Sequence, residues 1–220
     1  MKKIFVFIAM ALAFAACNKN EMNVLPEDNN KGITITAQLA PKTAVTKAVA
    51  DGGDKITVTW AVNEHIAILY TKDETKYTAD ATITAVDGSG AATISFTVEA
   101  GTPDNTACTL VYPYSAAKDD HTGVKDAATL LAAQDGTLSA NLDVRVGEGT
   151  IQTKTPGLTV TTQPAAQFAI FKFTTKNADG SATIDVKPFI VSIDTYDYIV
   201  TPATATNELF VALPAISGKE

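Results

Sequence analysis

The chain has 220 residues, of which 46% are apolar, 19% charged and 7% aromatic, a globular balance with few charges. The formal net charge of −7 argues against a nucleic-acid binder, which needs clustered Lys and Arg to displace phosphate counterions. A single Arg (Arg145), two Cys and two His exclude recognition by several arginines and a disulfide framework, and allow a four-ligand Cys/His zinc site only if every Cys and His joins it.

Lys2 and Lys3 precede an uncharged run from Ile4 to Ala16. A basic start and a short apolar run read as a secretory signal over residues 1–16, since a membrane-spanning helix needs about 20 apolar residues. The end of the run, Phe14-Ala15-Ala16-Cys17, resembles a bacterial lipobox. Small residues at 15 and 16 suit the peptidase, and the Cys17 thiol then carries the lipid. With Cys17 acylated, Cys108 lacks an intramolecular partner and reads as a small buried apolar residue. Residues 17–31 are polar, lack periodicity and contain Pro26, as a flexible tether would.

From Gly32 the pattern changes. Ile33-Thr34-Ile35-Thr36-Ala37-Gln38-Leu39 alternates with period two, the pattern of a half-buried strand. The chain holds 32 Thr, and such β-branched residues fit pleated surfaces. Asp51-Gly52-Gly53-Asp54 marks a turn. Strands are expected at Ile56–Trp60, Glu64–Tyr70, Tyr77–Val86 and Ala92–Val98, the last two joined by the hairpin signal Asp87-Gly88-Ser89-Gly90. Cys108–Tyr112 follows, stopped by Pro113, and a short helical turn is expected within Asp126–Ala133. Further strands are expected at Ile151–Thr155, Leu158–Thr162, Gln167–Phe173, Thr183–Val186, Phe189–Ile193 and Glu208–Leu213, with a turn at Asn177-Ala178-Asp179-Gly180. Roughly twelve short strands without a long amphipathic helix predict an all-β chain of tandem antiparallel β-sandwiches. The boundary is expected near Thr155-Pro156-Gly157, giving an N-terminal domain over 32–155 and a partial C-terminal domain over 156–220.

Motifs of chemistry are sparse. Gly88-Ser89-Gly90 and Gly147-Glu148-Gly149 complete neither a dinucleotide fingerprint nor a P-loop and read as turns. The sequence has no Gly-x-Ser-x-Gly elbow and no His-Glu-x-x-His pair, so no catalytic residue, cofactor or metal is assigned. His65 reads as an exposed or locally bonded histidine, and Asp119-Asp120-His121 as a polar loop. Asn177 to Asp185 carries oxygen ligands spaced faintly like a calcium loop, but lacks the closing bidentate Glu and reads as a hairpin turn. Trp60 and Tyr70 fit either a sugar-stacking platform or core anchors, and Tyr196 and Tyr198 share one face that is either adhesive or packed.

Taken in order, several blocks resemble the fimbrillin-like lipoproteins of Bacteroides-type bacteria, which build or decorate type V pili. The blocks are Cys17, Thr43-Ala44-Val45-Thr46-Lys47-Ala48, the run from Trp60 to Tyr70, and Tyr112-Pro113-Tyr114. Gln134-Asp135-Gly136-Thr137-Leu138, Ala169-Ile170-Phe171-Lys172-Phe173 and Leu209-Phe210-Val211-Ala212-Leu213-Pro214 continue the likeness. The resemblance implies two transthyretin-like β-sandwiches, no enzymatic activity and export to the outer membrane or cell surface on a lipid anchor. It implies other fimbrial subunits as partners through strand exchange, and host or bacterial surface ligands. Shaft subunits of such a family lose their first strand by cleavage, and a neighbour's strand fills the groove. Here no Arg precedes Arg145, so Lys42 and Lys47 are the basic sites available for maturation near the first strand. Without cleavage the expectation shifts to an anchor or accessory subunit. Because the chain stops soon after a strand, the second sandwich is expected to be incomplete. The alternative reading is a glycan-binding outer-membrane lipoprotein of a polysaccharide-uptake system.

Overall fold

The computed structural model describes residues 31–42, 56, 58–139, 142–193 and 196–214. The expected signal, Cys17 and Lys47 lie outside the described residues, as does all but the last residue of the expected tether. The fold is nearly all β, built from a curled antiparallel sheet and smaller sheets in a sandwich-like arrangement.

The large sheet holds seven strands: β1 (Ile33–Leu39), β2 (His65–Lys72), β3 (Thr75–Val86), β4 (Ala92–Val98), β5 (Thr106–Tyr112), β6 (Arg145–Gln152) and β7 (Gly157–Ala166). They lie in the order β1-β4-β3-β2-β5-β6-β7, and every pairing is antiparallel. Alternation decides the faces. Ile35, Ala37 and Leu39 of β1 turn inward, while Thr34, Thr36 and Gln38 face out. The inward residues meet Ile66, Ile68, Ile83, Ile94, Phe96, Leu110 and Ile151 in one apolar core. The sheet curls until β1 lies beside β7, where the Ala40 amide donates to Gln163 Oε1 at 3.2 Å.

Turn chemistry sets the hairpins. Asp73 (φ 48°) and Glu74 (φ 63°) make a two-residue left-handed connection between β2 and β3, the twist that tight hairpins favour. Asp87-Gly88-Ser89-Gly90 joins β3 to β4 as the sequence predicts, with Asp87 accepting from the amides of Ser89 and Ala91.

Outside the sheet, β8 (Phe168–Thr174) pairs with β11 (Glu208–Pro214), and β9 (Phe189–Ile193) pairs with β10 (Tyr196–Val200). The β8–β11 ribbon is apolar on both faces. Phe168, Ile170 and Ala212 pack on Ala67, Leu69 and Val111, which point outward from β2 and β5, together with Leu131 of the short helix α1 (Ala127–Leu131). Leu209, Val211 and Phe173 form a second cluster with Phe189, Val191 and Tyr198 of the other ribbon.

Four expectations need adjustment. Residues 58–60 are not a strand; Trp60 is held instead by its indole N–H, which donates to the Ala40 carbonyl at 2.9 Å. Gly147 and Gly149 lie inside β6 rather than in a turn, so β6 begins earlier than Ile151. A Cβ on Gly147 would stand 2.7 Å from the Thr162 carbonyl oxygen and 2.8 Å from Pro164 N, so these glycines admit a close backbone approach by β7. Thr183–Val186 makes only isolated bridges, while Tyr196–Val200 is a strand. Position 155–157 falls at the turn of the β6–β7 hairpin, so the large sheet continues to Ala166 and the first strand beyond it is β8.

Candidate functional site

Several surface carboxylates are engaged in turns. Asp87, Asp120, Asp135 and Asp179 each accept from the backbone amide of the Ser or Thr two residues on, and the first three also from its hydroxyl. Those hydroxyl and amide donors hold the four carboxyls below the usual aspartate range. Asp126 caps α1 through the Thr129 amide. His65 Nδ1 pairs with Asp80 at 2.8 Å, and His121 Nδ1 with Thr78 Oγ1 at 2.7 Å, both on the surface. Cys108 is buried, and desolvation pushes its thiol up to about 12.

The aromatics separate cleanly. Trp60 and Tyr70 are 3% and 5% exposed, so they anchor the core and present no open platform. Tyr196 is 67% exposed and borders a cleft of about 460 Å³ with Ala127, Leu131 and Asp197; Tyr198 lines the same cleft but is half-buried against the apolar clusters.

One cluster stands apart. Lys42, three residues past the end of β1, sends its side chain into the protein, where it is 2% exposed. Its Nζ lies 3.0 Å from Asp143 Oδ2 and 3.7 Å from Glu64 Oε2. It also stands 3.8 Å from the Tyr112 ring centroid and 4.3 Å from that of Trp60. Those rings meet edge to face at 5.1 Å. Asp143 is 3% exposed, and its Oδ1 accepts from Arg145 Nε at 2.8 Å; Arg145 is fully buried at the start of β6. Glu64, just ahead of β2, accepts from the Tyr112 hydroxyl at 2.6 Å through Oε1 and from the Ala61 amide at 2.9 Å through Oε2.

Two cations and two carboxylates thus share an aromatic-walled interior. Burial pulls Lys42 below its ordinary value, against the attraction of Asp143 and Glu64. Burial, together with the bond to Glu64, pushes the Tyr112 phenol up. A cavity of about 200 Å³ lined by Val58, Thr59, Leu138 and Ser139 opens beside Lys42, Glu64 and Asp143.

Sequence reasoning reached Lys42 only as a maturation site and passed over Glu64, Asp143 and Arg145. A signal was present: Asp143 and the chain's one Arg are interleaved with Leu142, Val144 and Val146. As placed here, Lys42 is withheld from a protease, which must take the side chain into its own pocket. Among the described residues no helix is long and apolar enough to cross a membrane. Comparison of the chain with protein-family models, curated proteins and solved structures finds no match.

Proposed function

We propose that the protein is a non-enzymatic, lipid-anchored surface subunit, structural or adhesive, of a fimbrium assembled by strand donation. Its place is that of a retained anchor or accessory subunit rather than a shaft repeat. The observation that carries this reading is the position of β1. Among the described residues it is an edge strand, paired in register with β4 over seven residues, yet Ile35, Ala37 and Leu39 close the core. A strand so placed is a removable wall. Its loss would leave the β4 edge unpaired and an apolar groove between β4 and β7, the template a donated strand requires. A groove filled by the next subunit is a heterologous contact and propagates as a filament. The retained position follows from Lys42, whose burial shields the basic site nearest the end of β1.

The test is an immunoblot of sheared material and membrane pellet from producing cells, run unheated and heated in SDS. The expected result is a pellet-associated, high-mass species that collapses to monomer on heating. Monomer alone in both lanes would overturn strand donation. A regular ladder in the sheared fraction would replace the anchor role with a shaft role.

A further inference from the structure

The geometry points to Lys42 and Asp143 as the partners of an intramolecular isopeptide bond, with Glu64 as the proton shuttle. This inference goes beyond the fimbrial reading and does not rest on it.

The amine and the carboxyl are already in contact, with Nζ 3.0 Å from Asp143 Oδ2. Both side chains are almost wholly enclosed, at 2% and 3% exposed. Enclosure matters in two ways. An ion pair taken out of water bears a large desolvation cost, which favours proton transfer to the neutral amine and acid. Holding the two groups together also replaces a bimolecular encounter with a unimolecular one. The Trp60 and Tyr112 rings wall the amine and limit its alternatives.

The chemistry balances without an external reagent. The Nζ lone pair attacks Asp143 Cγ and forms the C–N bond. Negative charge collects on Oδ1, where the Arg145 Nε–H, at 2.8 Å, stabilises it. The Cγ–Oδ2 bond then breaks. Counted from the ammonium and carboxylate, nitrogen gives up two protons, and both leave with Oδ2 as one water. Glu64 Oε2, 3.7 Å from Nζ, takes up a proton and passes it to the departing oxygen. The adjoining cavity gives that water somewhere to go. Before reaction the pocket holds Lys42 and Arg145 against Asp143 and Glu64. Afterwards one cation and one anion remain, so charge balance is kept with half the buried charge.

The bond would staple the chain just past β1 to the residue two before β6. A cut after Lys42 would then leave the first strand tethered, so that it could separate from its sheet without leaving the protein.

The experiment is intact-mass spectrometry of the purified full chain, followed by peptide mapping. The wild-type protein should be lighter than its sequence by one water. Its map should contain a branched peptide joining Lys42 to Asp143, with no cleavage after Lys42 even in the denatured protein. Glu64→Gln keeps both reacting groups and one carbonyl acceptor, in place of the two oxygens that serve the Tyr112 hydroxyl and the Ala61 amide, and should have the unreduced mass with a folded circular dichroism spectrum. A wild-type chain that is folded, has its full mass and yields no branched peptide would overturn the bond. A Glu64→Gln chain that still loses the water would overturn the role of Glu64. Neither result depends on whether SDS-resistant assemblies form.

Discussion

Gln134 holds the outer edge of β11 through Ala212: its Nε2 donates to the Ala212 carbonyl at 3.1 Å, and its Oε1 accepts from the Ala212 amide at 2.7 Å. The side chain thereby imitates one rung of a neighbouring strand. The Gln134 carbonyl also accepts from the Thr201 amide, joining the end of β10 to the same segment. Gln134 is 3% exposed, so no water replaces these bonds.

Gln134→Ala should therefore cost more than a surface change. It strands a buried donor and a buried acceptor, each worth about 1–3 kcal/mol when left unsatisfied. Urea unfolding should show a lower midpoint, and hydrogen exchange should place the loss at the Ala212 amide. Unchanged protection at that amide would show that another group holds the edge.

Cys108 supplies a pH dependence of known sign. Its folded pKa, about 12, exceeds the ordinary 9.0, so the folded state holds the proton more tightly. The associated stability is complete below pH 9 and is lost as pH rises from 9 towards 12. Cys108→Ala should flatten the alkaline fall in stability relative to wild type. Iodoacetamide should label Cys108 at the rate of global unfolding, and fast labelling of the native protein would contradict its burial.

Gly147 and Gly149 should respond unequally. A Cβ on Gly147 meets the backbone of Thr162 and Pro164, which cannot swing aside. On Gly149 the contacts are looser, at 3.0 Å from the Thr159 carbonyl oxygen and 3.1 Å from a Leu158 methyl. Gly147→Ala should cost about 1–3 kcal/mol by overpacking and Gly149→Ala less. Thermal melts of the two variants compare them directly, and equal midpoints would count against a close approach at Gly147.

Trp60, the chain's one tryptophan, reports on the end of β1. Its ring is buried, and its N–H reaches the Ala40 carbonyl beyond the strand. Native fluorescence should be blue-shifted. Replacing Leu39 with Asp should put a charge in the core beside the ring, shift the emission to the red and lower stability by several kcal/mol. Emission unaffected by Leu39→Asp would separate Trp60 from β1.

Much of the fold was legible in the chain. The alternation in Ile33–Leu39 fixes a strand with one wet face. Asp87-Gly88-Ser89-Gly90 fixes a hairpin, and Ala92–Val98 is bounded to the residue by its pattern. These signals are local, because period and turn chemistry act over a few residues. Gly147 and Gly149 were misread for the complementary reason: their lack of side chains answers to residues of β7 that lie outside any local turn pattern.

The site was the least legible part. Residue types alone place Lys42 on a tail after β1 and Glu64 before β2, where charges normally face water. Only the curling of the sheet, which brings β1 round towards β7, sets them beside Asp143, about a hundred residues from Lys42 in sequence. The sequence by itself determined that this is a β-rich chain with a β1 pattern able to close a core. The tertiary structure decided that a lysine, two carboxylates and the chain's one arginine share one largely enclosed pocket, because burial and charge pairing depend on residues that no local pattern connects.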